Sequence, residues 1–93
     1  MRGQARLSSS MSNIPTDEKI ADALLQLAAE RGEKTFCPSE VARSLSSNWR
    51  ELMPAIRAEA ERLVQAGKLR CSQAGRPVSP LHARGPIRLS RAG

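Results

Sequence analysis

NWRELMPAIRAEAERLVQAG, residues 48–67, carries a helical repeat of apolar residues along its whole length. On a helical wheel these residues form one stripe, which is typical of a helix with one face in a hydrophobic core. The stripe contains Trp49, Leu52, Met53, Ile56, Ala60, Leu63 and Val64. Gly67 follows the last apolar residue and can adopt the left-handed conformation that ends many helices. The segment therefore predicts one long helix over residues 48–66.

The first turn of this helix holds two unusual features. Asn48 followed three residues later by Glu51 is a variant of the capping box. Pro54 lacks the N–H that would bond to the carbonyl of Arg50, and its ring crowds that carbonyl, so we expect a kinked or tightened entrance. We expect Trp49 to anchor this entrance at the edge of the core, and base stacking is the alternative role for its ring.

Arg50 and Arg57 fall side by side on the face next to the apolar stripe. The residues around them on that face are small or flat, which allows close approach to a groove wall or to another surface. Glu61 lies a turn further along the helix and would repel phosphate. We interpret the two arginines as a candidate contact surface, with ordinary solvated surface as the alternative.

Two shorter helices are predicted before the long one. In TDEKIADALLQLAAERGEK, residues 16–34, Thr16 is the expected N-cap and Gly32 follows the last residue of the apolar stripe. The extended piece KTFC comes next. Pro38 then opens a second helix, whose apolar face contains Val41 and Leu45.

After the long helix the apolar period changes from about 3.6 to about 2 residues, which predicts strands. Leu69 and Cys71 belong to one strand, and Ile87 and Leu89 belong to another. The intervening QAGRPVSPLHARGP, residues 73–86, is rich in Gly and Pro. It forms either a long wing-like loop or a tight hairpin at the Ala-Gly pair, residues 74–75, followed by a third short strand.

The chain has 93 residues, 40% of them hydrophobic, which is enough for one small domain. Residues 1–15 are polar, Ser-rich and without periodicity, so we expect a disordered leader there and one domain over residues 16–91. The predicted core contains Ile20, Leu24, Leu27, Phe36, Val41, Leu45, Trp49, Leu52, Ile56, Leu63, Val64, Leu69, Ile87 and Leu89.

The formal net charge is +6, and its distribution along the chain is uneven. Residues 1–15 contribute +2, residues 16–61 contribute −3, and residues 62–93 contribute +7 because they contain no acid. This asymmetry favours a polyanionic partner for the C-terminal third, usually nucleic acid. A surface that only keeps the protein in solution is the alternative.

Arg70 and Arg88 have the same non-core parity on two strands that we expect to pair antiparallel, so they would share one exposed face. Unpaired like charges on one face suggest an anionic ligand, although solvation alone also stabilises them. Arg76 and Arg84 lie between the two strands. The candidate nucleic-acid-binding residues are therefore Arg50, Arg57, Arg70, Arg76, Arg84 and Arg88.

The sequence argues against catalysis and against a bound metal or cofactor. Cys37 and Cys71 are far apart, and with His82 they match no standard metal-ligand spacing. We expect both thiols to be small buried groups. The G-x-S-x-G, P-loop and G-x-G-x-x-G motifs are missing from the sequence. Because it also lacks a membrane-spanning apolar run and a secretory signal, we expect a cytoplasmic protein without a membrane partner.

The predicted order of elements is helix, short strand, short helix, long helix and basic hairpin. This is the order of a winged-helix domain, an α+β fold in which a three-helix helix-turn-helix core carries a C-terminal β-hairpin wing. FCPSEVARSL, WRELMPAIR and GPIRLSR together resemble a small bacterial family of uncharacterised domains of unknown function. The resemblance covers residues 20–91 and implies a winged-helix-like fold. It implies no activity and supplies no binding residues.

Our leading hypothesis is a winged-helix module that binds double-stranded DNA. By analogy with winged helices that bind DNA, residues 48–57 would face the major groove and the loop over residues 74–85 would lie along the backbone or minor groove. The alternative is a protein-interaction adaptor. It would use the same basic face for an acidic partner, or the Trp49 edge for an apolar one.

Overall fold

Within residues 16–92, three helices are followed by a small antiparallel sheet. The computed structural model describes residues 16–92, so the predicted leader, residues 1–15, lies outside the described residues. The helices are α1 (Asp17–Arg31), α2 (Pro38–Leu45) and α3 (Trp49–Gln65). The strands are β1 (Leu69–Gln73), β2 (Arg76–Pro77) and β3 (Arg88–Arg91), in the spatial order β2-β1-β3. This is the predicted α+β class, and the arrangement is consistent with a winged helix.

The start of α1 and the end of α3 follow the local signals in the sequence. Thr16 Oγ1 accepts a hydrogen bond from the N–H of Lys19 at 3.2 Å, which satisfies a free donor in the first turn. Gly67 has a φ of 79°, a left-handed conformation that strains other residues. The N–H of Lys68 then bonds back to the carbonyl of Leu63 at 2.8 Å, which closes a Schellman-type helix end.

The start of α3 differs from the prediction. The predicted capping box at Asn48 is wrong, because the Asn48 side chain makes no capping hydrogen bond. Instead, the N–H of Asn48 donates to Ser46 Oγ at 3.0 Å, and the N–H of Glu51 donates to the carbonyl of Asn48 at 3.1 Å. The second bond spans three residues, as in a tight 3₁₀ turn. The helix continues through the exposed Pro54, which leaves the carbonyl of Arg50 without its usual helical donor.

The hairpin between β1 and β2 decides between the two alternatives for the C-terminal segment. Ala74 and Gly75 have φ angles of 54° and 81°, as a two-residue hairpin turn with left-handed central residues requires. Gln73 is therefore paired with Arg76. The tight hairpin is the correct alternative, and a longer connection, residues 78–87, joins β2 to β3.

Phe36, in the connection between α1 and α2, pairs with Leu89 of β3. Each residue donates its N–H to the carbonyl of the other at 2.8 Å. Both residues are fully buried. The predicted extended piece before α2 thus forms a single bridge that joins the helical half of the domain to the sheet.

The core lies between the helices and the inner face of the sheet. Its large members are Ile20, Leu24, Phe36, Val41, Leu52, Ile56, Leu63, Leu69, Ile87 and Leu89, all of which were predicted. The predicted core residues Leu27, Leu45, Trp49 and Val64 are only half-buried at its edge. Ala28, Ala42 and Ala60 are fully buried, because small side chains are needed where helices approach closely. Within residues 16–92, no helix combines the length and apolar character needed to cross a membrane.

Replacing the exposed Pro54 with Ala should stabilise the domain, because alanine restores the N–H that the carbonyl of Arg50 lacks. A proline inside a helix costs about 3 kcal/mol, offset by about 0.4–1 kcal/mol because the unfolded chain gains freedom when proline is removed. We expect the free energy of unfolding from urea titration to rise by about 2–2.6 kcal/mol. The control is Ala58→Gly, an exposed position one turn further along, which should lower it by about 1 kcal/mol. An unchanged or lower stability of Pro54→Ala would contradict this account of the helix entrance.

Candidate nucleic-acid interface

Two arginines contact the ring of Trp49 where α2 leads into α3. The guanidinium carbon of Arg50 lies 4.5 Å from the ring centroid, and that of Arg43, on α2, lies at the same distance. Cations over an aromatic ring within about 6 Å of its centroid are attracted by the electron-rich face. Trp49 is half-buried against the core, whereas both arginines are exposed. We call Arg43, Trp49 and Arg50 the arginine–tryptophan cluster.

The cluster holds two positive charges close together without a counter-ion. The ion pairs within the described residues are Arg31–Glu40 and Arg62–Glu59, so neither Arg43 nor Arg50 takes part in one. The Trp49 ring contacts both guanidinium groups and packs against the core, which favours the predicted anchoring role over base stacking. Sequence reasoning missed Arg43, because its contact with the ring joins two different helices.

Arg57 does not form an exposed pair with Arg50, and the expected side-by-side surface is wrong. Its Nη1 donates to the carbonyls of Pro80 and Ala83 at 3.2 and 2.8 Å, and its Nη2 donates to the carbonyl of Gly85 at 2.7 Å. The helical wheel gave the direction of the side chain correctly, but it could not show that another segment covers that face. Arg57 fastens the connection between β2 and β3 onto α3.

We call residues 78–87 the clamped loop, because side chains of α3 and β1 hold it in place. Ser79 Oγ donates to the carboxylate of Glu61, one turn after Arg57 on α3. The same hydroxyl accepts hydrogen bonds from the N–H groups of Leu81 and His82, each at 3.2 Å. One end of the loop is therefore fixed to the helix by a hydroxyl that is both donor and acceptor.

The other end of the clamped loop is fixed to the sheet. Gln73 Nε2 donates to the carbonyl of Arg84 and to that of Pro86, the latter at 3.0 Å. The Arg84 side chain is exposed. A fixed backbone thus presents a guanidinium group that has no hydrogen-bond partner within residues 16–92, which is a favourable arrangement for contact with an anion.

The solvent face of the sheet carries the two predicted strand arginines. Arg70 pairs with Ser90, two residues beyond Arg88 on β3, so the register confirms that both arginines share one face. Arg88 Nε donates to Thr35 Oγ1, and its Nη1 donates to Cys37 Sγ, both at 3.2 Å. Arg88 is exposed but partly engaged, whereas Arg70 donates no hydrogen bond to the rest of residues 16–92.

The remaining predicted site residue, Arg76, is exposed on β2. Two other arginines of the chain carry charges that acids largely neutralise. Arg62 Nη1 donates to both carboxylate oxygens of the buried Glu59, at 3.0 and 2.8 Å. Arg31 is paired with Glu40. Each of these pairs adds nothing to the net charge, so neither arginine offers an uncompensated charge to a partner.

Local structure shifts the pKa of two side chains, Glu40 and Cys71, away from their ordinary values. The N–H of Cys37 and the Arg31 guanidinium donate to the Glu40 carboxylate, and together they lower its pKa. Burial raises the pKa of the Cys71 thiol. Cys37 is only half-buried, so the expectation of two buried thiols is correct for Cys71 alone. In the part of the chain that the structure describes, no group of three or more His, Cys, Asp or Glu side chains is placed to hold a metal ion.

Within residues 16–92, these features define a small α+β domain with three helices, a three-stranded antiparallel sheet and several exposed arginines that belong to no ion pair. A family model described as a protein of unknown function (DUF3253) matches residues 17–92, which is most of the chain. The chain belongs to this family, so the resemblance to a family of unknown function is confirmed. A search of curated proteins finds no match.

Removing the Arg57 side chain should loosen the clamped loop and destabilise the domain. A hydrogen bond from a charged group typically contributes about 1.5–3 kcal/mol, and partial exposure weakens the three made here. We expect Arg57→Ala to lower the free energy of unfolding by about 2 kcal/mol. The amide of Ala83, which donates to the carbonyl of Ser79 at 2.9 Å, should lose hydrogen-exchange protection. Arg76→Ala is the control and should change stability by less than about 0.5 kcal/mol. Equal effects of the two variants would exclude the clamp.

The attachment of the clamped loop through Glu61 should weaken in acid. The hydrogen bond from Ser79 is the main cause that lowers the pKa of Glu61 from 4.5. A carboxyl group whose pKa is lower in the folded state stabilises that state above its unfolded pKa, and this contribution is lost as the pH falls through the folded value. We expect Ser79→Ala to raise the titration midpoint of the Glu61 carboxyl carbon in NMR toward 4.5. The midpoint of Glu40, which does not contact Ser79, should stay constant. An unchanged Glu61 midpoint would show that the hydroxyl does not set this pKa.

Proposed function

We propose that this domain is a non-catalytic module that binds nucleic acid, with double-stranded DNA as its partner. The observation that carries the proposal is the arginine–tryptophan cluster at the junction of α2 and α3. It consists of two exposed, unpaired guanidinium groups held by one ring. Guanidinium groups donate in a planar fork that matches phosphate oxygens and guanine edges. An arginine already held by packing also loses less side-chain entropy on binding than a free one.

The position of the cluster favours a duplex. Residues 46–48 separate α2 from α3, the spacing of a helix-turn-helix. In that motif the first residues of the second helix approach base edges in the major groove. Arg50 lies in the first turn of α3, and the exposed Pro54 and Ala58 leave the same helix without bulky side chains that would prevent close approach.

The exposed arginines outside the cluster suit contacts to the phosphate backbone. Arg70 lies on β1, Arg76 on β2 and Arg84 in the clamped loop. Such contacts add affinity without reading sequence, and they make binding depend strongly on salt. Arg88 can add a further contact through donors that Thr35 and Cys37 leave free. Arg57 is not part of the proposed interface, because its guanidinium group holds the clamped loop.

The test is a fluorescence-anisotropy titration of the full chain with a short DNA duplex at several salt concentrations. We expect binding at low salt that weakens steeply as salt rises. Arg43→Gln and Arg50→Gln should each reduce the slope of log K against log salt by about 0.9, the value for one lost phosphate contact. Lys19→Gln is the matched control, because it removes one exposed charge from the start of α1. Absence of binding at low salt, or an equal effect of Lys19→Gln, would overturn the proposal.

Trp49→Leu tests the role of the ring without changing the charge. The proposal expects this variant to weaken duplex binding about threefold to tenfold, because Arg43 and Arg50 lose the surface that holds them. Circular dichroism and the urea midpoint of the variant check that the fold is kept. A folded Trp49→Leu variant with wild-type affinity would show that holding the arginines is unimportant for binding.

One observation favours a protein-interaction adaptor as a second candidate. Among residues 16–92, Leu81 is the large hydrophobic residue that stands exposed, with 45% of its surface accessible, and it sits on the clamped loop. An apolar side chain on a fixed backbone suits a small apolar pocket on a partner protein. Affinity capture with and without nuclease separates the two candidates. A partner that is lost with nuclease and unaffected by Leu81→Ser favours nucleic acid, and one retained with nuclease but lost in Leu81→Ser favours the adaptor.

A further inference from the structure

A polar cavity of about 300 Å³ lies where the end of α1 meets the edge of the sheet. Its lining comes from three separate parts of the chain. Gly32 and Glu33 follow α1, Arg70 lies on β1, and Ser90 and Arg91 end β3. The cavity is distinct from the arginine–tryptophan cluster, and it shares only Arg70 with the surface proposed to contact DNA.

The donors that line this cavity have no partners among the described residues. Arg70 and Arg91 are exposed, and neither belongs to an ion pair within residues 16–92. The hydroxyl of Ser90 is half-buried and makes no hydrogen bond to that part of the chain. Glu33 also lines the cavity, but it is not within ion-pair distance of either arginine. Two arginines and a serine therefore line one space, which they reach from opposite faces of the sheet end, and their side chains make no hydrogen bond within residues 16–92.

We propose that this cavity binds a phosphoryl group. Two guanidinium groups in one cavity repel each other, and an anion between them converts that repulsion into two attractions. Arginine forks form paired, charge-assisted hydrogen bonds with the oxygens of phosphate, and the Ser90 hydroxyl supplies a further donor. The two arginines contribute +2 and Glu33 contributes −1, so the lining of the cavity has a net charge of +1. This charge attracts an anion, and Glu33 weakens the attraction. This ligand need not be DNA, so the proposal goes beyond the function proposed above.

The phosphoryl group can come from two sources. One is a phosphate monoester, either on a small molecule or at the end of a nucleic-acid strand, and the other is a phosphodiester inside a strand. The first measurement uses inorganic phosphate as the probe. The ¹H–¹⁵N NMR spectrum of the full chain is recorded during the titration, with ionic strength held constant by sodium chloride. We expect saturable shifts at the amides of Gly32, Glu33, Ser90 and Arg91 and at the side-chain Nε–H of Arg70.

Single variants test the assignment. Arg70→Gln and Arg91→Gln should each weaken phosphate binding about fivefold or more, because each removes a charge-assisted pair of bonds. Glu33→Gln should strengthen binding about threefold by removing a like charge. Lys19→Gln, which removes an exposed charge at the start of α1 and outside the cavity, is the control and should leave the affinity unchanged. The same spectra show whether each variant is folded, and the gain in Glu33→Gln cannot arise from misfolding.

Further titrations identify the source. A nucleoside 5′-monophosphate and DNA duplexes with and without 5′-phosphates are added in turn. Response only to the mononucleotide and the phosphorylated duplex identifies a monoester, and equal response to both duplexes identifies a phosphodiester. Shifts that stay linear with phosphate, or that are spread over all exposed arginines, overturn the proposal. A further outcome separates the two proposals. If the wild-type protein does not bind duplex but phosphate still saturates the cavity, the proposed DNA-binding function is excluded and the phosphoryl site is kept.

Discussion

The pair of hydrogen bonds between Phe36 and Leu89 holds the two halves of the domain in their relative positions. Within residues 16–92, these two bonds are what joins the backbone of the connection between α1 and α2 to β3, and both residues are fully buried. Buried N–H and carbonyl groups must be paired, since water cannot reach them, so the bridge resists any sliding of the sheet along the helices. It fixes Arg88 beside Thr35 and Cys37, and it brings β3 to the end of α1, where the polar cavity forms.

The third helix has a different role on each of its faces. Its apolar stripe fills the core, its first turn presents Arg50 on Trp49, and its Arg57 and Glu61 hold the clamped loop. The side chains at 57 and 61 are one turn apart, so they meet the same neighbouring segment. A helix whose polar face is occupied in this way cannot also offer that face to a partner. On α3, the proposed contact with DNA therefore relies on Arg50 at the helix entrance and not on Arg57.

Local chemistry was enough to predict the element order, the α+β class, most of the large core residues and the shared face of Arg70 and Arg88. Those features depend on apolar period, caps and strand parity, which neighbouring residues determine. The role of Arg57, the contact of Arg43 with Trp49 and the cavity at Arg91 depend on segments far apart in sequence. The capping box at Asn48 was wrong for a local reason, because Ser46 Oγ accepts the hydrogen bond from the Asn48 N–H that a capping box assigns to the Glu51 side chain.

Net charge and fixed charge influence binding in different ways. A net charge of +6 attracts a polyanion from a distance and speeds encounter, but salt screens that attraction and it has little geometric preference. Of the arginines in the domain, Arg31 and Arg62 are neutralised by acids and Arg57 bonds to backbone carbonyls. The arginines best suited to discriminate among anions are those whose side chains are held in one orientation by packing, Arg43 and Arg50. Packing on Trp49 orients Arg43 and Arg50 before any partner arrives. Under the proposed function, the geometry of their donors would therefore matter more than the total charge for selecting among anions.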